Sequence, residues 1–438
     1  MRCHPPRLVF AVFAAGLLAA RALAAAEPPV DWVDPDTGHR VVRLSREPES
    51  ASLYFHQNPF TPEGDAMIMI TPGGLSLLDL KTHALRLVVP GVGDTINSSS
   101  GILMGPKTRQ VYYTKKDGAD TWVFATHLDT GAIRRIAKLP PGGTFSSINA
   151  DESLLVGAGA DDGQPFGIPL PLPGAPLPQL KGPDGHTMTY AEIKETRMND
   201  RLESRRPMTL YLISTVTGET RTLFKTTDWL GHIQFSPTDP GLLMYCHEGP
   251  WHKVDRIWTI RTDGSGDHLL HPRTMNMEIA GHESFSPDGR TIWYDLQLPR
   301  GEDFFLAGYE LATGARTWWH LQRDEWSVHF TVSPDGTMFA GDGGDSEMVA
   351  HAKDGKWIYL FRPQAIPDVA GIRAPNSGTL IRPGYLQSER LVNLAKHDYT
   401  LEPNVHFTPD MKWIIFRSNM HGPMHVYAVE IARTAKPQ

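Results

Sequence analysis

An all-β chain, folded as a seven-bladed β-propeller closed by an N-terminal strand, is what three observations predict. A turn motif recurs seven times, strand-like alternating runs fill the intervals, and the two chain ends read as parts of one sheet. The turn follows Phe60 (FTPEG), Leu103 (LMGPK), Ile148 (INADE), Phe235 (FSPTD), Phe285 (FSPDG), Val332 (VSPDG) and Phe407 (FTPDM). Most intervals are roughly 40 to 50 residues, the length of a four-stranded propeller blade. After each turn comes an alternating run such as DAMIMI, QVYYTK or KWIIFRS, then a polar turn and a second run such as WVFATHLD. Period-two alternation between turn residues is the strand pattern, and 40 glycines and 36 prolines supply the turns.

The ends support closure. The last unit, from Asn404 to Thr434, reaches Val426-Tyr-Ala-Val-Glu-Ile and stops before a further strand. Near the other end, Asp36-Thr-Gly-His-Arg-Val-Val-Arg-Leu-Ser matches the turn-plus-outer-strand pattern of Val216-Thr-Gly-Glu-Thr-Arg-Thr-Leu. The N-terminal segment therefore completes the final blade and removes the edges an open sheet would expose. Two insertions interrupt the repeat. Residues 165–207 begin with PFGIPLPLPGAPLPQLKGPDG, too rich in proline for a sheet, and continue with the helix-like TYAEIKETRMNDRLESRR. Residues 363–390 read as loop. Such insertions either shape a binding site on a rigid scaffold or are plain surface loops.

Residues 1–26 read as a signal peptide: Arg2 and Arg7, an apolar stretch from Leu8 to Leu18, and small residues through Ala26. The stretch is short for a membrane span and Arg21 interrupts it, so no stable membrane anchor is expected. The expectation is a periplasmic or secreted domain over residues 27–438. Cleavage would remove Cys3 and leave Cys246 alone, so no intrachain disulfide forms. Cys246 reads as a small buried residue rather than a nucleophile. A formal net charge of -7 argues against a general polyanion-binding surface. The sequence carries no P-loop, dinucleotide fingerprint or nucleic-acid module, and no G-x-S-x-G or HExxH motif. Oligomeric state is not legible.

In a propeller the first strand of each blade lines the central channel, so the position three before each aligned turn residue recurs at similar height. Those positions are Gln57, Ser100, Phe145, His232, His282, His329 and Asn404, with Glu402 and His406 as same-face neighbours of Asn404. Three histidines from consecutive blades should converge. They either cap strand ends or, beside a carboxylate, form a metal or acid/base site suited to Mn²⁺, Fe or Zn. His247, in Tyr245-Cys-His-Glu-Gly-Pro-Trp, stands where a strand gives way to a Gly-Pro turn and can exchange a proton near neutral pH.

Leu230-Gly-His, Cys246-His-Glu-Gly-Pro, His282 and His329 before their turns, Gly341-Asp-Gly-Gly-Asp and Lys396-His together resemble the oligogalacturonate lyases, family 22 of the polysaccharide lyases. The resemblance extends over most of the chain from Asp36 to Ile431. It implies a seven-bladed propeller that cleaves acidic, pectin-derived oligosaccharides by β-elimination with a Mn²⁺-type ion. It also implies His247 as the base and His282 as a metal ligand. Where the family carries a glutamine and a His-Pro-His run, this chain has Tyr399, Glu402 and Asn404. Oxygen donors there make a harder site, open to Mn²⁺, Ca²⁺ or Mg²⁺, with His329 or His406 as a further donor. Tyr399 is then a candidate acid or base. Gln57, His232 and His329 are expected to bind substrate, and Arg205, Arg206 or another arginine of the first insertion to clamp a uronate carboxylate bidentately. The alternative is an exported TolB-like propeller that binds partners and catalyses nothing; a ring of histidines in one channel layer is what separates the two.

Overall fold

The computed structural model describes residues 27–92, 101–163, 179–345, 354–367 and 374–434. The leader expected over residues 1–26, Ser100 and most of the proline-rich part of the first insertion lie outside them. The architecture is an all-β propeller. Among the described residues the strands form six hydrogen-bonded sheets, each an antiparallel meander or built from such meanders.

Both chain ends build one sheet. His39–Arg43 pairs antiparallel with His425–Arg433, placing Val41 opposite Val429 and Val42 opposite Ala428. Asp31–Val33 adds a fifth strand outside it. Val41 is fully buried and packs with Tyr427, Val429, Leu391 and Ile358, so closure is hydrophobic as well as hydrogen-bonded.

One sheet is larger than the repeat predicts. The meander from Ile279–Phe285 to Arg316–Leu321 joins the meander from Phe330–Val332 to Arg382–Asn393 in a single eight-stranded sheet. The joint is a parallel pairing of Thr317 to His320 with Arg382 to Tyr385. It forms because the second insertion is not loop, as its prolines suggested. Trp357–Ala365 and Arg382–Asn393 run on as a long antiparallel ribbon. Pro363 and Pro383 are accommodated near its end, as proline is when its missing N–H falls outside a central ladder. Gly384 allows the close approach, since a Cβ there would collide with the Trp319 ring.

The first insertion does contain the expected helix, Tyr190–Ser204, hereafter α1. Thr189 caps it, accepting from the Glu192 N–H, while the Glu192 side chain accepts from the Thr189 N–H. Met198 packs against Trp251 and Ile279, which lays α1 across the sheet ends rather than in solvent. Among the described residues no helix is long and apolar enough to cross a membrane.

If closure holds the ring together, Val41→Asp should cost on the order of 3 to 5 kcal/mol, the usual penalty for an unpaired buried charge. Val216→Asp, at a position 82% exposed, should cost little. Urea unfolding of both variants checks this; equal midpoints would contradict it.

Candidate functional site

The recurring histidines face the channel because the backbone is bent to aim them. His232 and His282 adopt left-handed φ values of 43° and 47°, and the ladders of both strands shift register there. Asn404, at the corresponding place in the closing sheet, has a φ of 55°. A bulge of this kind turns one side chain out of the pleat, and for a residue other than glycine it costs on the order of 1 to 3 kcal/mol. The glycine before each bulged histidine has its own reason. A Cβ on Gly231 would strike the Glu248 carboxylate, and one on Gly281 would stand 3.1 Å from Asp295 Oδ1. The Gly-His pairs thus let an acid from the next strand reach the site.

Each of the three imidazoles faces a carboxylate through Nδ1. His282 Nδ1 is 2.9 Å from Asp295, His329 Nδ1 is 2.7 Å from Asp342, and His232 Nδ1 is 3.3 Å from Glu283. The rings crowd together, with centroids 6.0 Å apart for His232 and His282 and 4.8 Å for His282 and His329. His329 Nε2 lies 3.2 Å from the Tyr54 hydroxyl and 3.7 Å from the Glu402 carboxylate. A plug of Tyr54, Phe55 and His56 fills the channel beneath: Phe55 stacks on His329 at 4.6 Å and His56 lies 5.6 Å from His232.

The environments drive the histidines apart. Burial, and then the Arg256 charge, hold His232 well below the usual imidazole value. Burial also disfavours the charged form of His282, yet the Asp295 carboxylate outweighs it and raises the pKa. Burial alone would raise Glu402, but His329, Lys194, His282 and Arg417 hold it at about 2. One pocket therefore contains a neutral imidazole, an imidazole favoured as a cation and a firm carboxylate.

Arg256 was not foreseen. It is buried, its Nε donates to Glu283 at 2.5 Å and its Nη2 lies 3.5 Å from Glu248. No sequence spacing links it to His232. Asp295 and Asp342 were also missed as partners, although both lie one strand from the histidine they orient. Tyr54, Phe55 and His56 sit just before Gln57 in a stretch that shows no strand pattern.

Several expected residues have other roles. Asn404 accepts the Phe55 N–H at 2.9 Å and donates to the Glu402 carbonyl, so its amide fixes the plug. His406 bonds the Leu53 carbonyl through Nε2 at 3.0 Å, and burial holds it at a pKa of about 4. With Gln57 it lines a separate cavity of about 530 Å³ among the proline turns, which the three site histidines do not line. The set His282, Glu402, Asn404 and His406 is therefore not assembled, because two of its members are committed to backbone. Among the described residues no three His, Cys, Asp or Glu side chains stand in coordinating geometry. Tyr399 is buried, with its hydroxyl donating to the Asp342 carbonyl at 2.9 Å, and burial raises its pKa. It buttresses the Asp342 backbone rather than reaching the channel. Arg205 pairs with Asp228 and Arg206 with Asp162, both on the surface, so neither expected clamp faces the channel. His247 lies outside the ring cluster, packed on Tyr245 and Trp258, but its strand pairs it with Leu230, two residues before His232. Burial lowers its pKa, against the pull of Asp228 and Asp267.

In chelator-treated protein, NMR titration should find His282 above the ordinary imidazole pKa of about 6.5. In Asp295→Asn the value should fall below it, because burial then outweighs the smaller remaining pull of Glu402. An unchanged value would remove Asp295 from its assigned role.

Comparison with known proteins agrees with this geometry. Residues 202–435, more than half of the chain, match the family model described as oligogalacturonate lyase. An oligogalacturonide lyase of Pectobacterium atrosepticum is 25% identical over 423 residues, covering 91% of this chain and 95% of the relative. An oligogalacturonate lyase of Dickeya dadantii is 25% identical over 421 residues, with the same coverage. A solved oligogalacturonate lyase in complex with manganese superposes with a TM-score of 0.69 at 23% identity, over 92% of this chain and 96% of that one. With the repeat, the closed sheet and the family match in agreement, this chain belongs to the oligogalacturonate lyase family.

Proposed function

We propose that this protein cleaves oligogalacturonates by β-elimination at the histidine cluster, with a divalent cation in the site. The observation that carries the reading is the set of three imidazoles, of which His282 and His329 are hydrogen-bonded to a carboxylate through Nδ1, while His232 Nδ1 faces Glu283 without a hydrogen bond. A binding scaffold has no use for such an arrangement, whereas metal-ligating histidines are commonly oriented in this way. The manganese-bound relative supports the same reading.

The donor chemistry fits a divalent ion. His282, His329 and Glu402 are not drawn into coordinating geometry here, but they offer the donors and would hold the ion, with Asp295 and Asp342 fixing the tautomers of the two imidazoles. When bound, such an ion withdraws charge from a uronate carboxylate and makes the adjacent C5 proton removable. The protein's own groups do the rest. His247 takes the C5 proton: burial keeps it neutral at neutral pH, and it sits at the end of the strand beside His232. As the C5–H bond breaks, a C4–C5 double bond forms and the C4–O bond releases its electron pair to oxygen. Tyr54 returns a proton to that oxygen. Its phenol is kept protonated by burial and by Glu402, and regains its proton from solvent once product leaves. A second reading gives the base role to His232, favoured by its neutrality and by its place inside the cluster.

Chelation should abolish formation of unsaturated uronate from oligogalacturonate, and Mn²⁺ should restore it. His282→Ala should lose metal by elemental analysis, whereas His247→Ala should keep metal and fold but lose about 10² to 10⁴ in rate. If His247→Ala retains turnover and His232→Ala does not, the base is His232. A wild-type protein that forms no unsaturated product from any acidic oligosaccharide, with any metal, would overturn the reading.

The base must be neutral, so kcat/KM should rise with pH and level off. A His247 pKa lowered by burial places that limb below about pH 6.5. A limb above that value would point to a different group.

A further inference from the structure

Helix α1 carries Lys194, Arg197 and Arg201, at i, i+3 and i+7, on one face. Among the described residues none of the three forms an ion pair, although Glu192 and Glu195 of the same helix do. Glu195 on the neighbouring face pairs with Arg300 at 2.8 Å and His252 at 3.7 Å, which fixes the rotation of the helix. Like charges at this spacing repel, so the stripe opposes the stability of the helix that bears it.

The stripe is directed at the site. Lys194 lies 5.9 Å over the Trp251 ring, and its charge is felt by both His282 and Glu402. Arg201 lies 4.2 Å over Trp229, the first residue of the His232 strand, and its charge is felt by Glu248. Glu248 in turn stands 3.5 Å from Arg256. The stripe thus runs for about 10 Å, from Lys194 over Trp251 to Arg201 over Trp229. Two guanidinium groups, one on the stripe and one behind it, are incomplete. Nη1 of Arg197 and Nη1 of Arg256 are buried and have no hydrogen-bond partner. Arg256 as a whole side chain is only 3% exposed. Buried guanidinium donors left without acceptors are costly, and a carboxylate is the acceptor their planar fork fits.

We infer that the cationic face of α1, backed by Arg256 behind Glu248, is a carboxylate cradle for a uronate unit next to the one being cleaved. It rests on the lyase reading for the identity of the sugar, and it adds a second anchor remote from the reacting carbon. The charge on that neighbouring carboxylate therefore contributes to binding, and chains methyl-esterified at it are held more weakly.

The test compares Arg197→Gln with the wild type on trigalacturonate and on its methyl-esterified form. A lost charged hydrogen bond should raise KM for the acid about tenfold, with kcat changed far less and KM for the ester unchanged. The urea midpoint should stay level or rise as repulsion along α1 is relieved. Arg201→Met, which keeps the packing on Trp229, should raise KM for the acid in the same way. An unchanged KM in both variants, or a lower midpoint for Arg197→Gln, would overturn the cradle. If the wild type forms no unsaturated product, the lyase reading alone fails. Calorimetric binding of trigalacturonate then decides the cradle: about tenfold weaker in Arg197→Gln supports it, and equal affinity refutes it.

Discussion

The site depends on circular closure. Only when the strand His39–Arg43 pairs with His425–Arg433 do the inner strands encircle a channel of fixed width. Only then do side chains from successive sheets meet at one point, although His232, His282 and His329 are about fifty residues apart in the chain. The αL bulges at His232 and His282 are the local expression of the same constraint. A regular strand would present these residues to a neighbouring sheet, and the strain of turning them inward is offset by the packing of the whole ring. The plug of Tyr54, Phe55 and His56 completes the enclosure, and Asn404 and His406 hold it through backbone hydrogen bonds.

The chemistry of the pocket follows from unequal pairing inside this enclosure. His232 and His282 are both substantially buried, and burial alone would make both neutral. His282 departs from that because Asp295 reaches it through the gap left by Gly281, whereas His232 lies near the buried Arg256 charge. Two histidines at equivalent positions of adjacent sheets are thereby given different protonation behaviour. Pairs of groups driven apart in this way are what acid–base chemistry at one pH requires.

Much of this was legible in the sequence, and the boundary has a physical basis. The all-β repeat, the shared terminal sheet and the helix in the first insertion could be read because turn chemistry, alternation and capping are local. The convergence of His232, His282 and His329 could be read because a repeat converts sequence position into height in the channel. The roles of Asn404, His406 and Tyr399 could not, because each is decided by a backbone carbonyl or amide elsewhere in the ring. Arg205 and Arg206 had the right chemistry in the right insertion. However, helical phase put Lys194, Arg197 and Arg201 on the face towards the site, while the two residues beyond the helix turned to surface aspartates. The ribbon within residues 363–390 was hidden by its prolines, which sit near its end.

That ribbon alters how the ring can come apart. A propeller of separate sheets can loosen at any junction, since neighbours share only side-chain packing. Here the strand Arg316–Leu321 is hydrogen-bonded to the next meander through Arg382 to Tyr385, so two units must open as one cooperative block. His282 and His329 belong to those two units. The pair of imidazoles that lies closest together therefore rides on the one junction that, among the described residues, strand pairing reinforces, and amide exchange should be slower there than at junctions made by packing alone.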